Sequence, residues 1–174
     1  GLSRGTLMNE FYHAVEKVNL KNGLTLLLLS IPGSLLCSIH LCLAMGNLFE
    51  DQKERGLSAL LQEAILKGTQ TKDAITFNRE IESLGASIES SSNSFVGRIA
   101  IEGPNEQIFS ILPLFFELVK GPALRADEIE KEKRFLIEQL AALDDDPLQA
   151  ALLRFKKGFY GTHPYGASTL GEPD

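Results

Sequence analysis

The stretch Gly56-Leu57-Ser58-Ala59-Leu60-Leu61-Gln62-Glu63-Ala64-Ile65-Leu66-Lys67-Gly68-Thr69 decides how the rest of this chain is read. Leu57, Leu60, Leu61, Ala64 and Ile65 recur at helical spacing and form one apolar stripe, and Gly68 is a natural stop, so the segment is expected to be a helix. Ala59, Gln62, Glu63 and Leu66 fall at i, i+3, i+4 and i+7 and share a second stripe. That stripe offers one carboxylate, one amide and no imidazole.

Outward from this helix, the N-terminal side reads as strands. Val15–Leu20 and Leu24–Ser30 flank Asn22-Gly23, two residues that tolerate positive φ and mark a hairpin. Residues 1–13 lack any period and are expected to be a leader or linker. Leu35–Met45 is largely apolar, which predicts a central strand. On the C-terminal side a helix is expected over Lys72–Leu84, then strands at Ala86–Ser91 and Ser94–Glu102 joined by a Ser/Asn turn. Asn105–Val119 has helical period but contains Pro113, which predicts a kink or a shortened first half. Asp127–Leu143 reads as a helix with two acids at its N-terminal dipole, and Leu148–Phe159 as another with Pro147 in its first turn. Gly161–Asp174 is turn-rich. Hairpins early and no regular strand–helix alternation predict an α+β fold, a mostly antiparallel sheet packed against helices on one side.

Composition sets bounds. The chain has 174 residues, enough for one domain with its own core, and a net charge of −6, which argues against nucleic acid or an anionic membrane as partner. Its longest apolar runs are too short to span a bilayer. No secretory signal is legible, and Gly1 leads us to expect that whatever preceded it has been removed; the chain is expected to be soluble, with cytoplasm and periplasm equally open. Cys37 and Cys42, on opposite faces of one extended segment, are out of disulfide reach and are expected to be buried thiols.

The catalytic inventory is poor. His13, His40 and His163 are far apart. His40 reads as a core or sheet-face residue and His163 as a loop-shaping one. No serine elbow and no phosphate-binding glycine loop is present. Asp144–Asp146 reads as a solvated helix end and lacks a calcium-loop pattern.

The Gly56–Thr69 helix nevertheless resembles that of the insulinase/pitrilysin zinc peptidases, including the mitochondrial processing peptidase. There it reads Gly-Leu, H-x-x-E-H, a short apolar run and Lys-Gly-Thr. Their two histidines bind zinc from one helix face and the glutamate is the general base. Other pieces of the chain are similar to the family in the same order: Val18–Thr25 to its opening hairpin, Glu82-Ser83-Leu84-Gly85-Ala86 to a helix-to-strand turn, Glu130–Leu140 followed by Asp-Asp-Pro to the helix of the third ligand, and Gly161-Thr162-His163-Pro164-Tyr165-Gly166 to the closing match.

The resemblance places Ala59 at the first histidine, Gln62 at the base, Glu63 at the second histidine and Gln139 at the third ligand, with Glu132 at a supporting acidic position. A slip of one residue would set Glu63 at the base and Glu138 near the third ligand, and would still supply no histidine. The chain is therefore expected to have no catalytic residues, to hold no metal or cofactor, and to be a non-enzymatic copy of the domain, with zinc only in a catalytic partner. The family is built from homologous halves closing around an unfolded peptide. The implied role is a silent half or subunit that forms chamber wall and docks to the zinc-bearing one; the alternative is a stand-alone peptide-binding module. Residues 14–174 are read as a single domain that is incomplete at its C-terminal end, which predicts self-association, possible as a homodimer, through an uncovered edge or face. An extended peptide is the substrate class implied.

Overall fold

The computed structural model describes residues 15–171; the expected leader over 1–13, His13, and residues 172–174 lie outside them. The described chain forms two compact units, one ending at Leu35 and one beginning at Leu36. The first is the expected hairpin. Strands β1 (Val15–Asn19) and β2 (Thr25–Leu29) pair antiparallel, Val15 opposite Leu29 and Asn19 opposite Thr25. Gly23 takes a φ of 88° in the turn, a conformation open to glycine and costly for other residues.

In the second unit β3 (Leu36–Leu43), β4 (Ser87–Ser92) and β5 (Gly97–Pro104) form an antiparallel sheet in the order β3-β5-β4. The central strand of this sheet is therefore β5, and β3 lies at its edge, against the expectation drawn from the apolar run at 35–45. Burial explains the difference. Ile99, Ala100 and Ile101 of β5 are buried, whereas Leu36 and Leu43 of β3 are exposed.

Among the described residues five α-helices follow the sequence pattern: α1 (Leu57–Ile65), α2 (Ala74–Ser83), α3 (Ile108–Lys120), α4 (Ala126–Asp145) and α5 (Pro147–Tyr160). Asp73 caps α2 by accepting from Thr76 N at 2.8 Å, and Asp146 caps α5 by accepting from Leu148 N and Gln149 N. The acidic run after Leu143 thus ends one helix and starts the next. α3 continues through Pro113 but begins only at Ile108, with Asn105–Gln107 as a 3₁₀ turn, so its first part is shortened as expected. Pro113 falls in the second turn, where its missing N–H forgoes the bond an ordinary residue would make to the Phe109 carbonyl.

The core lies on one face of the sheet. Ile99 and Ile101 pack with Phe77 and Ile81 of α2, Ile111, Phe115 and Leu118 of α3, and Ile65 at the end of α1. The opposite face is polar. Ser38 Oγ donates to Glu102 Oε1 at 3.0 Å and stands 2.7 Å from His40 Nε2, while Arg98 reaches His40 Nδ1 at 3.2 Å and pairs with Glu89. Because arginine only donates, His40 Nδ1 accepts and its proton sits on Nε2, facing Ser38. His40 is a sheet-face residue. Cys37 is half-buried and Cys42 is exposed, both as free thiols. The expectation of two buried thiols is met only in part at Cys37 and fails at Cys42, whose strand turns it to the polar face.

Candidate functional site

α1 buries only part of its expected apolar stripe, Ala64 and Ile65, together with residues beside it. Ser58, Ala59, Gln62, Ala64 and Ile65 are buried, whereas Leu57 of the apolar stripe is exposed. Its start is held by Glu50, whose carboxylate accepts from Gly56 N at 2.9 Å and Ser58 N at 2.6 Å. A carboxylate on the first free amides of a helix satisfies its orphan donors and opposes its dipole. Ser58 Oγ in turn accepts from Gly46 N at 2.9 Å, fixing the loop after β3.

Gln62 is 4% exposed and turns toward the sheet. Its Nε2 donates to Met45 Sδ at 3.1 Å, and its Oε1 accepts from Ser90 Oγ of β4. Both ends of the amide are engaged. The approach is close because β5 carries Gly97 opposite: a Cβ there would lie 2.7 Å from Gln62 Nε2 and collide with Met45 Sδ. Ala59, one turn earlier, is buried and offers no donor atom. Glu63 is half-buried.

The helix expected to carry the third ligand lies beside α1. Lys67, just beyond the end of α1, places Nζ 2.8 Å from Glu132 Oε1, whose side chain is only 12% exposed. A cleft of about 220 Å³ continues the contact, lined by Leu57 and Leu60 on one side and Leu136, Ile137 and Leu140 on the other. Gln139, half-buried, lies seven residues after Glu132 and so on the same stripe of α4.

Beyond α1, the Lys-Gly-Thr segment is pinned to α3. Gly68 has a φ of 106°, and a Cβ on it would lie 2.5 Å from the Lys72 carbonyl. Thr69 is fully buried and donates to Glu117 Oε1 at 2.6 Å; Thr71 donates to the same oxygen at 2.6 Å, and Lys72 Nζ reaches Glu117 Oε2 at 2.9 Å. The hydroxyls of Thr69 and Thr71, then the Lys72 ammonium, hold the Glu117 carboxyl down to about 2. Glu80 and Glu117 together raise Lys72. His163 shapes its loop as expected, accepting from Tyr165 N at 3.2 Å, while the Pro164 carbonyl accepts from Asn47 Nδ2 at 3.0 Å.

As a donor set the α1–α4 residues do not suit a catalytic zinc, which takes three ligands from His, Cys or carboxylate. Ala59 has nothing to give, Gln62 is spent on Met45 and Ser90, and Gln139 is a neutral amide. Among the described residues no three or more His, Cys, Asp or Glu side chains are grouped to hold a metal ion. The sequence had indicated Ala59, Gln62, Glu63, Glu132 and Gln139. It had not indicated Met45, Ser90 and Gly97 as the surroundings of Gln62, nor Lys67 as the partner of Glu132. The pattern Lys-Gly-Thr was the one available signal for the latter.

Residues 25–173 match the insulinase family, peptidase family M16. The chain belongs to that family. It is 26% identical over 156 residues to an uncharacterised zinc protease of Rickettsia bellii, covering 87% of this chain and 37% of that protein. It is also 26% identical over 163 residues to mitochondrial cytochrome b-c1 complex subunit 1 of Caenorhabditis elegans, covering 90% of this chain and 33% of that one. Its fold is similar to the peptidase M16 inactive domain of Pseudomonas fluorescens, with a TM-score of 0.85 at 23% identity over 90% of this chain and 38% of that one. The chain thus spans between 33% and 38% of the length of these proteins.

Proposed function

We propose that this chain is a non-catalytic M16 domain that works as the silent half, or a silent subunit, of a zinc peptidase, forming part of the wall around an extended peptide and docking to the zinc-bearing half. The observation that carries the reading is the fate of Gln62. It stands where the family's general base would stand, its amide is bonded at both ends, and a neutral amide takes no proton from water at neutral pH. Ala59 and Gln139 remove two ligands beside it. Support for a partnered role comes from length, since the relatives are nearly three times as long as the matched segment. One of them is named as a subunit of a larger complex, and a similar structure as an inactive domain.

The experiment is reconstitution. The chain alone should leave a quenched peptide intact, and adding it to an M16 protein that carries an intact H-x-x-E-H helix from the same genome should raise that protein's turnover. Unchanged turnover over a wide concentration range would reject the partnered role. A second reading, a peptide-binding module without a protease, is favoured by one feature: β4 lies at an edge of the β3-β5-β4 sheet and could pair with an extended segment. Saturable peptide binding with no effect on any M16 partner would select it.

A further inference from the structure

The cleft between α1 and α4 combines an apolar lining with a cationic rim. Leu57 and Leu60 line it from α1, and Leu136, Ile137 and Leu140 from α4, around a volume of about 220 Å³. Lys133 precedes Leu136, Ile137 and Leu140 by three, four and seven residues, so it stands on the same stripe of α4, one turn from the apolar lining. Lys53 and Arg55 border the cleft from the loop that leads into α1. Leu57 is 55% and Ile137 40% exposed, so the lining is open to a ligand.

Charge and size together define what this cleft takes. Three of its lining residues are cations and one, Glu54, is an anion, on a chain whose net charge is −6. Among the described residues neither Lys53 nor Lys133 has an ion-pair partner. A lysine lays its methylene stem along apolar surface and keeps its ammonium at the edge, an arrangement that meets an anion directly above an apolar group. The volume lies below the roughly 300–1,000 Å³ that encloses a drug-sized ligand. One apolar side chain fits it, and a long acyl chain does not.

We infer that this cleft is a binding site for the free C-terminus of a peptide. The last, apolar side chain enters between α1 and α4, and Lys53 and Lys133 hold the α-carboxylate at the mouth by charge-assisted hydrogen bonds. A single carboxylate joined to a single apolar group is the chemistry that both parts of the cleft recognise. The inference rests on the extended-peptide reading proposed above and names the end of the peptide that this chain grips.

The test uses the whole chain and a short peptide labelled at its N-terminus and ending in leucine, followed by fluorescence anisotropy with the C-terminus free or amidated. Saturable binding of the free acid is expected, weakened at least about tenfold by amidation or by a terminal serine. Lys53→Glu/Lys133→Glu should weaken binding of the free acid by a similar factor and leave the amide unchanged. Leu57→Ser should remove the preference for terminal leucine over terminal serine. All three positions are exposed, so the fold should survive, as circular dichroism would check. Equal binding of acid and amide overturns the inference, as does equal binding of the acid by the parent and the lysine variant. Displacement of the peptide by octanoate at lower concentration than by N-acetyl-leucine also overturns it, by making the site one for acyl chains. Turnover of an M16 partner, which tests the proposed function, enters none of these readouts, so the two can fail separately.

Discussion

Lys67 Nζ stands 2.8 Å from Glu132 Oε1 and joins the end of α1 to α4, with the glutamate almost wholly withdrawn from solvent. Removing the lysine alone leaves a carboxylate without its counter-charge, which costs more than losing an exposed pair. Lys67→Met should destabilise the domain by about 1–3 kcal/mol. Adding Glu132→Gln should recover most of that loss. Urea unfolding of both single variants and the double variant checks the coupling.

Gln62 is expected to resist acidic replacement. Gln62→Glu puts an oxygen where Nε2 now donates to Met45 Sδ, and does so in a buried position whose hydrogen-bond partners, Met45 and Ser90, carry no charge. The expected loss is about 2 kcal/mol or more. Gln62→Met, which keeps volume without charge, should cost less. Thermal unfolding at neutral pH compares the two, and equal stability of Gln62→Glu and the parent would refute the packing described.

At Gly97 the side chain of Met45 and that of Gln62 in α1 close on the backbone of β5. Gly97→Val should displace Met45 and Gln62 and destabilise by about 1–3 kcal/mol, the usual range for overpacking. Met45→Ala in the same chain should return part of it, because the thioether is the first atom met. A double-variant unfolding series measures the relief.

Glu117 predicts an acid-sensitive joint between α3 and the Thr69–Lys72 segment. Its carboxyl is held to about 2 in the folded chain by Thr69, Thr71 and Lys72, below its ordinary value of 4.5. Stability from a depressed carboxylate is fully present above the unfolded value and drains away as pH falls through the folded one. Glu117→Gln should therefore cost about 1–2 kcal/mol at neutral pH, allowing for its partial exposure, and the gap should close between roughly pH 4.5 and pH 2. A constant gap across that range would show that the charge is not what matters.

Element types were legible in the sequence where periodicity was long. The Asn22-Gly23 hairpin and the helices from Leu57 and Ala126 are read from turn chemistry and spacing, whereas the capping bonds of Asp73 and Asp146 emerge only from the structure. What failed depends on partners that no window contains. The apolar run at 35–45 suggested a central strand, yet β5 is central in this sheet because helices cover Ile99 and Ile101. Leu57, read as part of the apolar stripe, is exposed, while Gln62 of the second stripe is buried, because Gly97 lets the sheet approach that side of α1. The candidate positions were found through a family pattern. Their present bonds, Gln62 to Met45 and Ser90 and Lys67 to Glu132, required coordinates.

The most direct test is the zinc stoichiometry of the purified chain after dialysis against zinc and then against buffer, read by elemental analysis. Ala59, Gln62 and Gln139 leave Glu63 as the one ionisable donor among the ligand positions, so the account predicts no stoichiometric metal. One zinc per chain, retained through dialysis and lost in Glu63→Ala, would contradict it.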